Sequence, residues 1–181
     1  MTKYDHLTEL FGLANVHVTH YQLVGPNRLN LFIESTVAAG VCPTCLQISL
    51  AVHEYAEPQL LRDLPIWNRR CWLRYCPRRF ECATCGKTFV ERVAWREPGL
   101  DYTTRYEQFI YEQVRRQSVA QVARDERLSE DMVHVKKIRF SARLDGLAGI
   151  LINHAPHLLP SLFHTQLSHS QWIFGNCSRL S

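Results

Sequence analysis

The chain has 181 residues, 46% of them hydrophobic, and a formal net charge of +4, enough for one ordinary domain or for two small ones that each need a staple such as a metal. No run reaches the roughly 20 apolar residues of a membrane span, and the amphipathic start MTKYDHLTELFGL lacks the apolar core of a secretion signal. A cytosolic setting with reduced thiols is therefore expected, where seven cysteines point to metal or redox chemistry rather than disulfides.

Residues 1–15 predict a short helix with Leu7, Leu10 and Phe11 on one side. VHVTHYQLV and LNLFIES are β-rich runs separated by Gly-Pro-Asn-Arg, which predicts a hairpin leading into Cys42-Pro-Thr-Cys45. LAVHEYA predicts a further strand, and RDLP ends in a strand-breaking proline. RRCWLRY and RRFEC predict a hairpin around Cys76-Pro77, closed by Cys82-Ala-Thr-Cys85, so that one β-sheet fills the interval between the cysteine pairs.

From residue 103 the period becomes helical. Thr104 and Glu107 form a capping box, and Tyr106, Phe109, Ile110 and Val114 share a face. Ser118 and Gln121 form a second box, opening a helix with Val119, Val122 and Ala123 inward. Ser129 then caps a third helix whose expected core face is Met132, Val135, Ile138 and Ala142, leaving Glu130, His134, Lys137 and Ser141 outward. Two short helices, a tight turn and a polar outer face make a helix-turn-helix candidate, with plain bundle packing as the alternative. The fold class expected is α+β: a small zinc-ribbon-like antiparallel β-module at 16–98, then a helical helix-turn-helix module at 99–145.

Cys42, Cys45, Cys82 and Cys85 supply four thiolates in two short pairs, the arrangement that closes a tetrahedral site around one structural Zn²⁺. Redox or unpaired cysteines are the competing reading. Gly86 suits the tight knuckle after Cys85, whereas CPTCLQ has no glycine at the matching place. Cys71 and Cys76 are five apart on one expected strand, face opposite ways, and are read as ordinary buried cysteines, with Cys76 a less favoured substitute ligand. His154, His157, His164 and His169 sit in a segment without a carboxylate after Asp145, so no orienting acid is at hand and no catalytic residue is assigned.

Charge is unevenly placed. Residues 1–61 carry a net −3 and residues 62–96 a net +6, centred on the cysteines. Arg69, Arg70, Arg74, Arg78, Arg79, Lys87 and Arg92 are expected to form a cationic surface toward DNA phosphates, with a plain solvated strand face as the alternative, while Ser129, Glu130, His134 and Lys137 of the third helix are expected to face bases.

CPTC, VHEY, LRDLP, LRYCPRRFECATCGKTFVER and SVAQVARDERLSEDMV, in this order over residues 1 to about 145, resemble the ISL-three insertion-sequence transposases. The resemblance implies a zinc finger, with Cys42, Cys45, Cys82 and Cys85 as ligands, and a helix-turn-helix ahead of a DDE domain of ribonuclease-H-like fold. Two departures stand out. Arg127 occupies the turn where family members usually have glycine, so a positive φ there costs about 1 kcal/mol. No acidic residue follows Asp145, so this chain cannot assemble the three carboxylates of a two-metal DDE site. Residues 146–181 match nothing in the family and read as a frameshifted or poorly ordered tail.

The expectation is a truncated transposase of the bacterial cytosol, nucleoid-associated if expressed. It binds double-stranded DNA at terminal inverted repeats, without strand transfer and without a membrane role. Self-association or pairing with a full-length transposase is a further expected partnership. The alternative is a zinc-ribbon protein-interaction or transcription accessory module, in which the basic strand meets acidic protein instead.

Overall fold

Alternating apolar and polar residues close the first hairpin as expected: β1 (Val16–Val24) pairs antiparallel with β2 (Arg28–Ser35) across a turn in which Gly25 has φ 62°. The structure, a computed structural model, describes residues 4–154, with side chains to residue 146. Cys177 and the histidines from His157 onward lie outside the described residues, as does the side chain of His154. Ahead of the hairpin, α1 (Asp5–Phe11) ends at Gly12 and buries Phe11 against the sheet.

From β2 the chain makes two excursions. It leaves to form β3 (Gly40–Val41), β4 (Ile48–Ser49) and β5 (Val52–Tyr55), then returns as β6 (Gln59–Ile66) and β7 (Arg69–Tyr75). It leaves again as β8 (Arg78–Glu81) and β9 (Thr88–Val90). The main sheet has the order β1-β2-β7-β6, with β2 and β7 parallel and the other neighbours antiparallel. β5-β8-β9 and β3-β4 form two smaller sheets.

The expected single sheet, with a β7–β8 hairpin around Cys76-Pro77, is therefore not what forms. Cys71, Leu73 and Tyr75 are buried in the core of the main sheet with Leu29, Leu31 and Ile33, whereas Phe80 belongs to a separate small core with Phe89, Cys42 and Cys82. Two cores a few residues apart pull the strands into different sheets, and β8 takes β5 as its partner. Cys76, in the link between them, is exposed rather than buried. Pro65 does not end β6 either. The strand runs on to Ile66 with a register shift after Asp63, which an edge strand tolerates because a missing N–H there breaks few ladder bonds.

Three helices follow: α2 (Thr104–Arg116), α3 (Val119–Glu126) and α4 (Glu130–His154). The first cap is Thr103, one residue earlier than expected, whose hydroxyl accepts the Tyr106 N–H at 3.3 Å. Ser118 and Ser129 cap as read, accepting the N–H groups of Gln121 and Met132 at 3.2 Å each. Tyr106, Ile110, Val122, Ala123 and Val133 form the helical core.

The third helix is rotated from its expected phase. Val133, Lys136 and Phe140 point inward, while Met132, Val135 and Ile138 are 40%, 53% and 65% exposed. The reason is a buried lysine. Lys136 places its ammonium 3.6 Å from the centroid of the Tyr102 ring, near the carboxylates of Asp101 and Glu107, so a charged position left out of the expected core face is satisfied inside. Burial nonetheless holds its pKa below the usual lysine range.

Charged residues fasten the helices to the main sheet. Residues 101–103 run beside β6, with the Arg62 N–H donating to Asp101 O at 2.7 Å and the Thr103 N–H to Arg62 O at 2.9 Å. Asp63, fully buried, accepts from Thr103 Oγ1 at 2.6 Å and from Arg105 Nε at 2.8 Å. Arg62 Nη2 reaches Glu126 at 2.7 Å. The two charged residues of LRDLP are thus the joint between sheet and helices.

Candidate metal centre and nucleic-acid interface

Each cysteine pair sits on a knuckle of one design. The N–H of Leu46 donates to Cys42 O at 2.9 Å and that of Gly86 to Cys82 O at 2.8 Å, and the two turn residues have φ 61° and 66°. Leu46 therefore takes the left-handed conformation without glycine's freedom. The four sulfurs lie within 4.8 Å of one another, with Cys42–Cys85 at 3.7 Å, Cys45–Cys82 at 3.4 Å and Cys45–Cys85 at 3.8 Å. A regular tetrahedron with Zn–S bonds of about 2.3 Å has edges of about 3.8 Å. The donor set fits zinc.

Protonation favours the same conclusion. The Cys45 N–H, aimed at the Cys42 sulfur, brings that thiol down to about 6, and the Cys85 N–H lowers Cys82 likewise. Cys45 is also favoured as a thiolate by the Gln47 N–H, but Cys82, the next largest influence, together with burial and the other sulfurs drives it up to about 12. Four sulfurs this close cannot all ionise without a cation between them. The site accordingly holds one structural zinc with no open position. Phe80 and Phe89 stack beneath it, ring centroids 5.8 Å apart, and Gly40 passes so close that a Cβ there would meet both rings at 2.8 Å. A core this small needs the metal.

In the helical part, α3 is capped by Arg127 with φ 53° and ψ 50°, and α4 begins three residues later at Glu130. Ser129, Glu130, His134 and Lys137 are all exposed along the start of α4. This is helix-turn-helix geometry with the turn residue left-handed.

A family model for the zinc-finger of transposase IS204/IS1001/IS1096/IS1165 matches residues 38–85, and a model for the helix-turn-helix domain of transposase family ISL3 matches residues 91–134. The chain belongs to the ISL3 transposase family. It is 32% identical over 100 residues to the transposase for insertion sequence element IS1001 of Bordetella parapertussis, a match covering 55% of this chain and 24% of that protein. The chain thus spans about a quarter of the curated relative it matches. No solved structure matches it. Both matched modules belong to the DNA-binding equipment of a transposase. Among the described residues no helix is long and apolar enough to cross a membrane.

The cationic residues of this ISL3 chain do not form the one surface expected from their spacing. Arg70 and Arg74 share the outward face of the main sheet with Trp72, whereas Arg69 alternates to the opposite side, its Nε buried without a hydrogen-bond partner. Arg79 pairs with Glu54 at 2.5 Å, and Lys87 and Arg92 are exposed on the ribbon. Arg78 is spoken for: its Nε and Nη2 hold Glu91 Oε2 at 3.2 and 2.8 Å, and Nη2 also donates to Ser35 Oγ at 3.0 Å and to Val37 O at 2.5 Å. With the two side chains 13% and 2% exposed, Arg78 is a clamp between ribbon and main sheet rather than a free cation.

The outward sheet face also carries residues that spacing did not single out. Arg28 and Arg62 each lie 5.2 Å from the Trp72 ring, Arg74 lies 5.5 Å from Phe32, and His20 stacks on Phe32 at 3.7 Å. Alternation along β7 could have grouped Arg70, Trp72 and Arg74. The parallel register that adds Arg28 from β2 had no local signal.

Proposed function

We propose that this chain is the DNA-end-binding part of an ISL3 transposase, recognising the terminal inverted repeats of its insertion sequence. The observation that carries the reading is the capped α3–turn–α4 unit, with Ser129, Glu130, His134 and Lys137 exposed, fastened beside a sheet face rich in arginine. In this reading α4 enters the major groove, and Arg70, Arg74, Lys87 and Arg92 meet phosphates, with Arg69 and Arg79 at the margin. The module boundaries proposed are 1–15 for the leading helix, 16–98 for the β-part, 99–145 for the helix-turn-helix and 146–181 for a segment outside the family.

Strand transfer is not assigned to residues 38–134, whose matched modules are a zinc-finger and a helix-turn-helix. The chain acts in the cytosol as a competitor for DNA ends, alone or paired with a longer transposase. Selection of bound sequences from random duplex DNA, with zinc present, tests the proposal. Enrichment of one site related to an element's end is expected; recovery of no preferred sequence refutes it. Cleavage of the selected site in Mg²⁺ by a nuclease-free preparation would refute the non-catalytic part.

A second reading has one observation in its favour. Val135 and Ile138 form an exposed apolar row on α4, which suits a protein contact better than a phosphate backbone. Zinc-loaded protein without salt-dependent DNA affinity would favour that interaction role.

A further inference from the structure

Between the outward face of the main sheet and the α3–α4 turn lies a cavity of about 250 Å³. Its walls bring together Arg28, Arg70 and Trp72 from the sheet, Arg62 from β6, and Arg127 and Lys136 from the helices. Against these five cations stand two carboxylates, Asp101 and Glu126. Glu126 is occupied by Arg62 at 2.7 Å and by the Tyr106 hydroxyl at 3.0 Å.

Neither Arg70 nor Arg127 closes an ion pair with a carboxylate among the described residues. Burial disfavours the Arg70 cation, and the charges of Arg127 and then Arg62 disfavour it further, with only partial relief from Glu126. Arg62, 4% exposed, has Nε and Nη1 buried without hydrogen-bond partners. Arg127 reaches the cavity from a left-handed backbone position that a non-glycine residue adopts at a cost. Uncompensated positive charge, gathered around an aromatic ring at the joint of two modules, is an arrangement that an anion completes.

We propose that this cavity is a phosphate seat, in which Arg70 and Arg127 grip a backbone phosphate of the bound DNA while Arg28, stacked on Trp72, flanks it. The proposal rests on the DNA-binding reading and adds a site outside the zinc ribbon and the base-reading face of α4. The seat sets the distance between the recognition helix and the sheet along the duplex. A phosphate held at the turn fixes how deeply α4 enters the groove.

Arg127→Gly tests the seat cleanly, since glycine removes the charge while relieving the left-handed turn. Binding of zinc-loaded full-length chain to duplex DNA is measured across a salt series for wild type, Arg127→Gly, Arg127→Lys and Arg70→Gln, with thermal unfolding recorded for each. Arg127→Gly should keep or raise the melting temperature, weaken selected and random duplexes alike, and lower the salt slope by about 0.9. Arg127→Lys should keep the slope, and Arg70→Gln should lose about the same amount as the glycine variant. Wild-type slopes in both Arg127→Gly and Arg70→Gln overturn the seat and leave the DNA reading standing. If wild type binds no duplex, the DNA reading fails by itself. Inorganic phosphate then decides the seat, followed by the indole N–H resonance of Trp72: a saturating shift in wild type that Arg70→Gln abolishes assigns it to a free phosphate, and no shift overturns it.

Discussion

Arg78→Ala separates structural from DNA-contacting arginines. In the folded chain Glu91 Oε1 accepts from the Tyr75 hydroxyl at 2.5 Å and from the Arg78 N–H at 2.9 Å, and Oε2 accepts twice from the guanidinium. Removing the side chain leaves the 2%-exposed carboxylate with two of its four hydrogen bonds, and cuts the donations to Ser35 and Val37. Breaking a buried pair from one side costs about 3–5 kcal/mol. The surviving donors put this case at the lower end, about 3 kcal/mol, or roughly 6–12 °C in melting temperature for a chain of this size. Urea unfolding of zinc-loaded protein measures the loss, and a DNA salt series at a temperature where the variant stays folded should give the wild-type slope. A loss below about 1 kcal/mol together with a slope reduced by about 0.9 would show that Arg78 serves phosphate and not Glu91.

Cys82→Ser should release the one zinc per chain and melt the ribbon, whereas Cys71→Ser, whose thiol is buried in the main core and pushed far up by that burial, should retain it; metal content by mass spectrometry distinguishes them. Glu91 also carries a pH signature: burial raises its pKa, but the bonds from Arg78 and Tyr75 outweigh this and leave it lowered. Its contribution is therefore complete above the unfolded carboxylate value of about 4.3 and fades as pH falls through the lower folded value, so the stability gap between wild type and Glu91→Gln should close below about pH 4. A gap that stays constant down to pH 3 contradicts the assignment. Lys137→Ala or His134→Ala should cost on the order of 1–3 kcal/mol on the selected site and little on random duplex, read by competition binding. Equal losses on both would place these side chains on phosphates.

Local signals carried part of this architecture. The first hairpin, both cysteine knuckles and the caps at Ser118 and Ser129 rest on short-range chemistry, and spacing alone was enough to find them. The zinc ligands were legible for the same reason, since two C-x-x-C turns present sulfurs whatever lies between. The division of the strands was not, because Tyr75 and Phe80 look alike in sequence yet are buried in different cores. Lys136 misled the phase of α4, its charge being satisfied by a ring and two carboxylates from distant segments. Arg78 misled the interface similarly: a surface arginine and a clamp differ only in whether Glu91 is opposite. Long-range register, from β2 against β7, decides which cations share a face.

The two excursions from the main sheet also bear on how the chain is made. Cys45 is synthesised 37 residues before Cys82, and each β2 residue 42 residues ahead of the β7 residue it must lie beside, as Arg28 is of Arg70. At about 5–20 residues per second, the first knuckle and the β1–β2 hairpin wait some 2–8 seconds for their partners. During that interval the hairpin presents an unpaired apolar edge, and half a metal site is available to any stray thiol or ion. The main sheet can close once β7 has emerged at Tyr75, whereas the ribbon must wait for β9, near residue 90. The helices, arriving last with Arg105 and Glu126, latch onto Asp63 and Arg62 of a sheet already closed.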